Sequence, residues 1–124
     1  MHKPLTVLIG DRNPRIRNFL QRELNSAGYR AIAAADGNQL KKWLGRLIHL
    51  DVLVLDPDMP GLGEMDHLAS LFAQRPGMPV VFHCLTMDFN GSCQLASHKT
   101  VFVEKTGNSV DHLKNQLRLL LGHG

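Results

Sequence analysis

Three residues carry most of the chemistry that this sequence offers. Asp56 directly follows the uninterrupted apolar run Val52-Leu53-Val54-Leu55. Asp11 follows closely on Thr6-Val7-Leu8-Ile9, and Lys105 comes soon after Val101-Phe102-Val103. Two carboxylates and an ammonium, brought to one rim, suit a single task. Carboxylate oxygens hold a hard divalent cation. An aspartate can attack phosphorus. An ammonium, with the metal, neutralises charge on a transferring phosphoryl group. Arg12 and Cys84 stand at the same kind of position, just beyond an apolar run.

Such a rim needs elements to build it. The apolar runs at 6–9, 52–55, 80–82 and 101–103 read as buried strands, with Ala31-Ile32-Ala33 as a weaker one. Helical spacing links Ile16, Phe19, Leu20, Leu24 and Ala27, opened by Asn13-Pro14 and closed by Gly28. Leu40, Trp43, Leu44 and Leu47 mark a second helix. Met65, Leu68, Leu71 and Phe72 mark a third, and residues 87–98 a short or irregular one. Val110, Leu113, Leu117, Leu120 and Leu121 mark the last, with Asn108 or Ser109 as its cap.

Five strands alternating with helices predict an α/β chain. Right-handed crossovers make it a flavodoxin-like (βα)5 doubly wound five-stranded parallel sheet, order 2-1-3-4-5. Ligands of such sheets bind beyond the carboxyl ends of the strands, which is where Asp11, Arg12, Asp56, Cys84 and Lys105 fall.

Composition sets the outer bounds. The 124 residues suffice for one domain, 1–124. The 44% apolar content is too high for disorder, and no apolar stretch is long enough to span a bilayer. The start lacks the apolar stretch of a signal peptide, and Cys84 and Cys93 make neither a disulfide framework nor a metal pair. A reduced, cytoplasmic protein is expected. Residues 1–46 carry nine Lys or Arg against three acids, and the remainder five against eight. No aromatic interleaving or DNA-reading motif accompanies the basic half, so it reads as a solvated face and direct nucleic-acid binding is not expected. The seven histidines are scattered without metal-ligand spacing, and His83, at a strand end, is assigned a structural role.

Over residues 5–121 the chain resembles a response-regulator receiver domain of two-component signalling. The residues that carry the likeness are Val7-Leu8-Ile9-Gly10-Asp11-Arg12-Asn13-Pro14, Asp51-Val52-Leu53-Val54-Leu55-Asp56-Pro57-Asp58-Met59-Pro60-Gly61, Pro79-Val80-Val81-Phe82-His83-Cys84 and Val101-Phe102-Val103-Glu104-Lys105. The resemblance implies that Asp56 is the phosphoacceptor and Lys105 the phosphoryl contact. It implies Mg²⁺ held by Asp11, Asp56 and the backbone carbonyl of Asp58. It implies a phosphorelay module, not a metabolic enzyme, that receives a phosphoryl group from a sensor histidine kinase or phosphotransfer protein. The module then switches conformation toward an effector domain or partner protein, and the last helix offers a face for a homodimer.

The departures from the family pattern are specific. Arg12 replaces the second acid of the metal-binding pair, so Mg²⁺ is expected to be held weakly, with Arg12 paired to Asp56, Asp58 or Asp11. Cys84 takes the switch position of a Ser or Thr, Phe102 that of an aromatic usually Tyr, and Thr106 that of a proline after the lysine. Gly63-Glu64 replaces an Asp-Gly pair, and Thr86 lies two residues from where the missing hydroxyl belongs. These departures motivate an alternative, a degenerate pseudo-receiver that binds proteins without phosphorylation. Leu55-Asp56-Pro57-Asp58 also resembles the Asp-x-Asp of haloacid-dehalogenase phosphatases, but it lies on the third strand, not the first.

Overall fold

The computed structural model describes residues 4–47, 49–62, 70, 72–85 and 99–122. Its elements run β1 (Thr6–Gly10), α1 (Pro14–Ser26), β2 (Arg30–Ala34), α2 (Gly37–Arg46), β3 (Val52–Leu55), β4 (Val80–Cys84), β5 (Thr100–Glu104) and α3 (Ser109–Leu121). All strand pairs are parallel, in the order β2-β1-β3-β4-β5. This is the expected doubly wound sheet. The expected third helix's Met65, Leu68 and Leu71, and the segment 87–98, lie outside the described residues. So do Gly63, Glu64 and Thr86.

Strand alternation divides the core into two layers. Val7, Ile9, Val52, Val54, Val81 and Val103 face α1 and α3, where they meet Leu20, Leu24, Leu113 and Leu117. Leu8, Leu53, Leu55, Val80 and Phe82 face the other way, onto Leu40 and Leu44 of α2 and onto Phe72. The central strands are buried on both sides, which is why they read as continuous apolar runs. Each fully buried aliphatic or aromatic side chain contributes about 1.5–3 kcal/mol. The two layers therefore hold the strand ends, and the residues just beyond them, in fixed relation.

Helix ends follow local chemistry. The Asn13 side chain accepts from the amides of Arg15 and Ile16, with Pro14 in the first turn, as expected. Asp36 caps α2 by accepting from the amide of Gln39, a cap the sequence reading passed over. Arg75 donates to the carbonyls of Leu44 and Leu47 and so satisfies the far end of α2. Asn108 occupies the cap position of α3 but makes no side-chain cap bond. The Ser109 hydroxyl instead donates to the Thr106 carbonyl at 2.9 Å. Among the described residues no helix is long and apolar enough to cross a membrane.

One close approach fixes the loop after β3. The Gly37 amide donates to the Pro60 carbonyl at 2.7 Å. A Cβ on Gly37 would lie 1.9 Å from the Gly61 carbonyl oxygen, so only glycine fits there. Gly61 itself has φ +83°, a conformation that glycine adopts at little cost.

Candidate functional site

Strand register assembles the site. Gly10 pairs with Leu55, so the next residues, Asp11 and Asp56, leave adjacent strands side by side. Cys84 pairs with Glu104, which brings Lys105 to the same rim. The ladder continues one residue past each strand: Asp11 N–H donates to Ala34 O, Asp56 N–H to Gly10 O and Lys105 N–H to Cys84 O. Backbone bonds thus hold all three candidate site residues.

Both carboxylates are buried, each 1% exposed. Lys105 Nζ lies between them, 3.0 Å from Asp11 Oδ2 and 3.3 Å from Asp56 Oδ2. Arg12 Nε stands 3.4 Å from Asp56 Oδ2, and its Nη2 stands 3.9 Å from Asp58 Oδ2. Of the three partners expected for Arg12, the guanidinium therefore takes Asp56 and Asp58, while Lys105 takes Asp11. Asp58 is largely exposed, and its amide donates to Asp56 Oδ1 at 3.0 Å. Asp11 Oδ1 likewise accepts from the Asn13 amide at 2.9 Å. Asp56 Oδ2 differs from the other carboxylate oxygens: it is buried and faces two cations, yet receives no well-aligned hydrogen bond among the described residues.

Magnesium requires near-octahedral oxygen ligands and keeps several waters. The residues present fit such an ion poorly. Each of the four oxygens of Asp11 and Asp56 already faces an N–H or a cation. A guanidinium lies against Asp56 and Asp58, and among the described residues no three His, Cys, Asp or Glu side chains cluster so as to hold a metal.

Two neighbours of the site make contacts that the sequence does not show. Arg17 Nη1 donates to the Asp11 carbonyl at 2.9 Å, tying α1 to the rim. Its signal is its place in the first turn after the Asn13 cap. The second is Ser109, whose Oγ lies 3.0 Å from His83 Nε2. Because the Ser109 hydroxyl donates to Thr106, it accepts from His83, which assigns the proton of the neutral imidazole to Nε2. His83 Nδ1 is buried without a hydrogen-bond partner among the described residues. The structural role expected of His83 is thus a bridge from β4 to α3.

Burial lowers the His83 pKa to about 4. Lys105 pushes in the same direction, and Asp11 and Asp56 oppose it. Between pH 6.5 and 4 the unfolded chain binds a proton that the folded chain refuses, so stability falls as pH falls through that window. From pH 7 to 4.5 the wild type should lose about 2–3 kcal/mol more than His83→Gln. Urea unfolding at the two pH values measures the difference.

Cys84 is buried, and burial pushes its thiol pKa up, with Asp56 and Asp58 adding to the effect. A thiol so placed stays protonated at neutral pH and is a poor nucleophile. Phe102, half-buried, stacks on Phe82 with ring centroids 5.4 Å apart.

A model of the response regulator receiver domain matches residues 7–114. The chain belongs to this family. Among curated relatives, the receiver domain is 33% identical over 76 residues to the sensor protein EvgS of Escherichia coli K12. It is 32% identical over 79 residues to the probable transcriptional regulatory protein TcrX of Mycobacterium tuberculosis. These stretches cover 61% and 64% of this chain but only 6% of EvgS and 33% of TcrX. Among solved structures, chemotaxis protein CheY4 of Vibrio cholerae is 22% identical, with a TM-score of 0.81 over 96% of this chain and 100% of its own. The response regulator TrrA of Thermotoga maritima, solved in complex with Mg²⁺ and BeF, is 24% identical, with a TM-score of 0.78 over 94% of this chain and 99% of its own. At these identities the structural likeness speaks to the receiver fold alone.

Proposed function

We propose that this receiver domain accepts a phosphoryl group on Asp56 and switches conformation in response. The observation that carries the reading is the state of Asp56 Oδ2. Its partner oxygen is held by the Asp58 amide, which orients the carboxylate. Oδ2 itself is free of well-aligned hydrogen bonds among the described residues and is flanked by two cations. That oxygen is the nucleophile. It forms the new O–P bond, and the bond from phosphorus to the donor breaks with the electron pair leaving on the donor. With acetyl phosphate the leaving group is acetate, which needs no proton.

Lys105 has two tasks. Before transfer it keeps two buried carboxylates from repelling each other. After transfer Asp56 no longer carries its own charge, and the ammonium turns to the phosphoryl oxygens. Asp11 is a positioning residue that holds Lys105 at 3.0 Å. A divalent ion is held weakly here, because Asp11, Asp56 and the Asp58 carbonyl lack the second acidic side chain.

The donor is a sensor histidine kinase or phosphotransfer protein, and the output passes to an effector domain or partner protein. The module is a cytoplasmic signalling switch, not a metabolic enzyme. Cys84 stands at the switch position with a weak hydrogen-bonding thiol, so phosphorylation moves β4, β5 and α3 less strongly than a hydroxyl would. Leu119 of α3, 76% exposed, belongs to the face on which a homodimer would form.

Incubation with acetyl phosphate followed by intact mass tests the proposal. The wild type gains the mass of one phosphoryl group, and Asp56→Asn gains none. A folded wild type that gains nothing, or an Asp56→Asn variant that gains as much, overturns it.

A further inference from the structure

We infer that Arg12 is the site's built-in cation, and that it makes phosphoryl transfer to Asp56 independent of a divalent metal. The inference rests on the phosphoacceptor reading above and concerns how its charge is balanced.

The two buried carboxylates, Asp11 and Asp56, face two cations, Lys105 and Arg12. Counted over the described residues, these four charges cancel without a metal, and a divalent ion would add two surplus positive charges. Asp58, which Arg12 also reaches, is 61% exposed, so solvent screens its contribution.

The type of cation matters next. Arg12 is a guanidinium, which stays charged at any working pH and presents a planar fork that matches phosphoryl oxygens. It already spans two carboxylates, at 3.4 Å to Asp56 Oδ2 and 3.9 Å to Asp58 Oδ2. An Arg12→Lys variant would supply a point charge without that fork.

Asp56 Oδ2 is covered, and Arg12 is one of the two cations against it. The Lys105 side chain is only 6% exposed, whereas the Arg12 side chain is 42% exposed. Arg12 is thus the partner that can swing aside for a donor without disturbing the core. It then returns to the transferred group. After transfer the phosphoryl group carries roughly two negative charges and Asp11 one, so both cations still have partners.

The test is a time course of acetyl phosphate labelling, read by intact mass, in chelator and in Mg²⁺. It is run on the wild type, Arg12→Ala, Arg12→Lys and Arg12→Asp. Wild-type rates in the two buffers should agree within about threefold, and Arg12→Ala should fall about tenfold or more in chelator. Arg12→Lys should lie between them. Arg12→Asp should label only with Mg²⁺. Calorimetric titration with Mg²⁺ supplies a readout that needs no phosphorylation: binding is expected to be about tenfold or more tighter for Arg12→Asp than for the wild type. Wild-type labelling confined to the Mg²⁺ buffer overturns this inference and leaves the phosphoacceptor reading standing. So does an Arg12→Ala variant that matches the wild type in chelator, or wild-type Mg²⁺ binding as tight as that of Arg12→Asp. Absence of wild-type labelling in both buffers overturns the phosphoacceptor reading itself, and this inference with it.

Discussion

Lys105→Met should unfold about 3–5 kcal/mol more easily than the wild type, because it removes the shared partner of two buried charges. Asp11 and Asp56 are each 1% exposed, and the ammonium lies within 3.3 Å of both. Methionine keeps the length and apolar character of the lysine stem, so the lost stability reports charge more than packing. Arg12 remains beside Asp56, but Asp11 has no second cationic side chain within ion-pair distance among the described residues. Adding Asp11→Asn should therefore recover about half of the loss, since it removes the charge left stranded. Urea unfolding of the single and double variants at neutral pH is the check. A double variant no more stable than Lys105→Met alone would mean that the lysine acts through packing.

Gly37→Ala should cost about 4 kcal/mol or more, or leave the protein unfolded at ordinary temperature. The new Cβ would sit 1.9 Å from Gly61 O and 2.2 Å from its carbonyl carbon, both backbone atoms that cannot turn away. Relief requires α2 and the loop after β3 to part, which breaks the bond from Gly37 N–H to Pro60 O. The same loop carries the Asp58 amide that orients Asp56. Any folded fraction should therefore also label more slowly with acetyl phosphate. Gly45 is an internal control: no atom lies within 4 Å of its Cβ position, and Gly45→Ala should be neutral or stabilising by up to about 1 kcal/mol. Thermal unfolding of both variants decides the matter.

The two glycines also mark what a sequence does and does not reveal. The strand Val52–Leu55 is legible to the residue, because burial on both faces demands an unbroken apolar run. From it follow the position of Asp56 and, through parallel pairing with β1, the neighbourhood of Asp11. β4 is harder to read. It continues through His83 and Cys84, both buried, where the polar imidazole masks the strand's end. Its compatibility with the core depends on Ser109, 26 residues away. Gly37 carries no local sign of its role, since the contact with Gly61 exists only once α2 has packed. Arg12 is intermediate. Its place beside Asp11 is visible in the chain, and its pairing with Asp56 and Asp58 follows from the strand order. The cap position of α3 is legible at Asn108, but its bonding is not: Asn108 makes no side-chain cap bond, and the Ser109 hydroxyl is drawn to Thr106 and His83.

The central claim is that a phosphoryl group resides on Asp56 as an acyl phosphate. Its most direct test is to label the protein with acetyl phosphate, reduce with borohydride and map the peptides. Borohydride converts the acyl phosphate of an aspartate to homoserine and leaves free carboxylates untouched. Homoserine is expected at position 56 and at neither 11 nor 58. Homoserine at either of those positions, or aspartate retained at all three in protein that has gained phosphoryl mass, would contradict it.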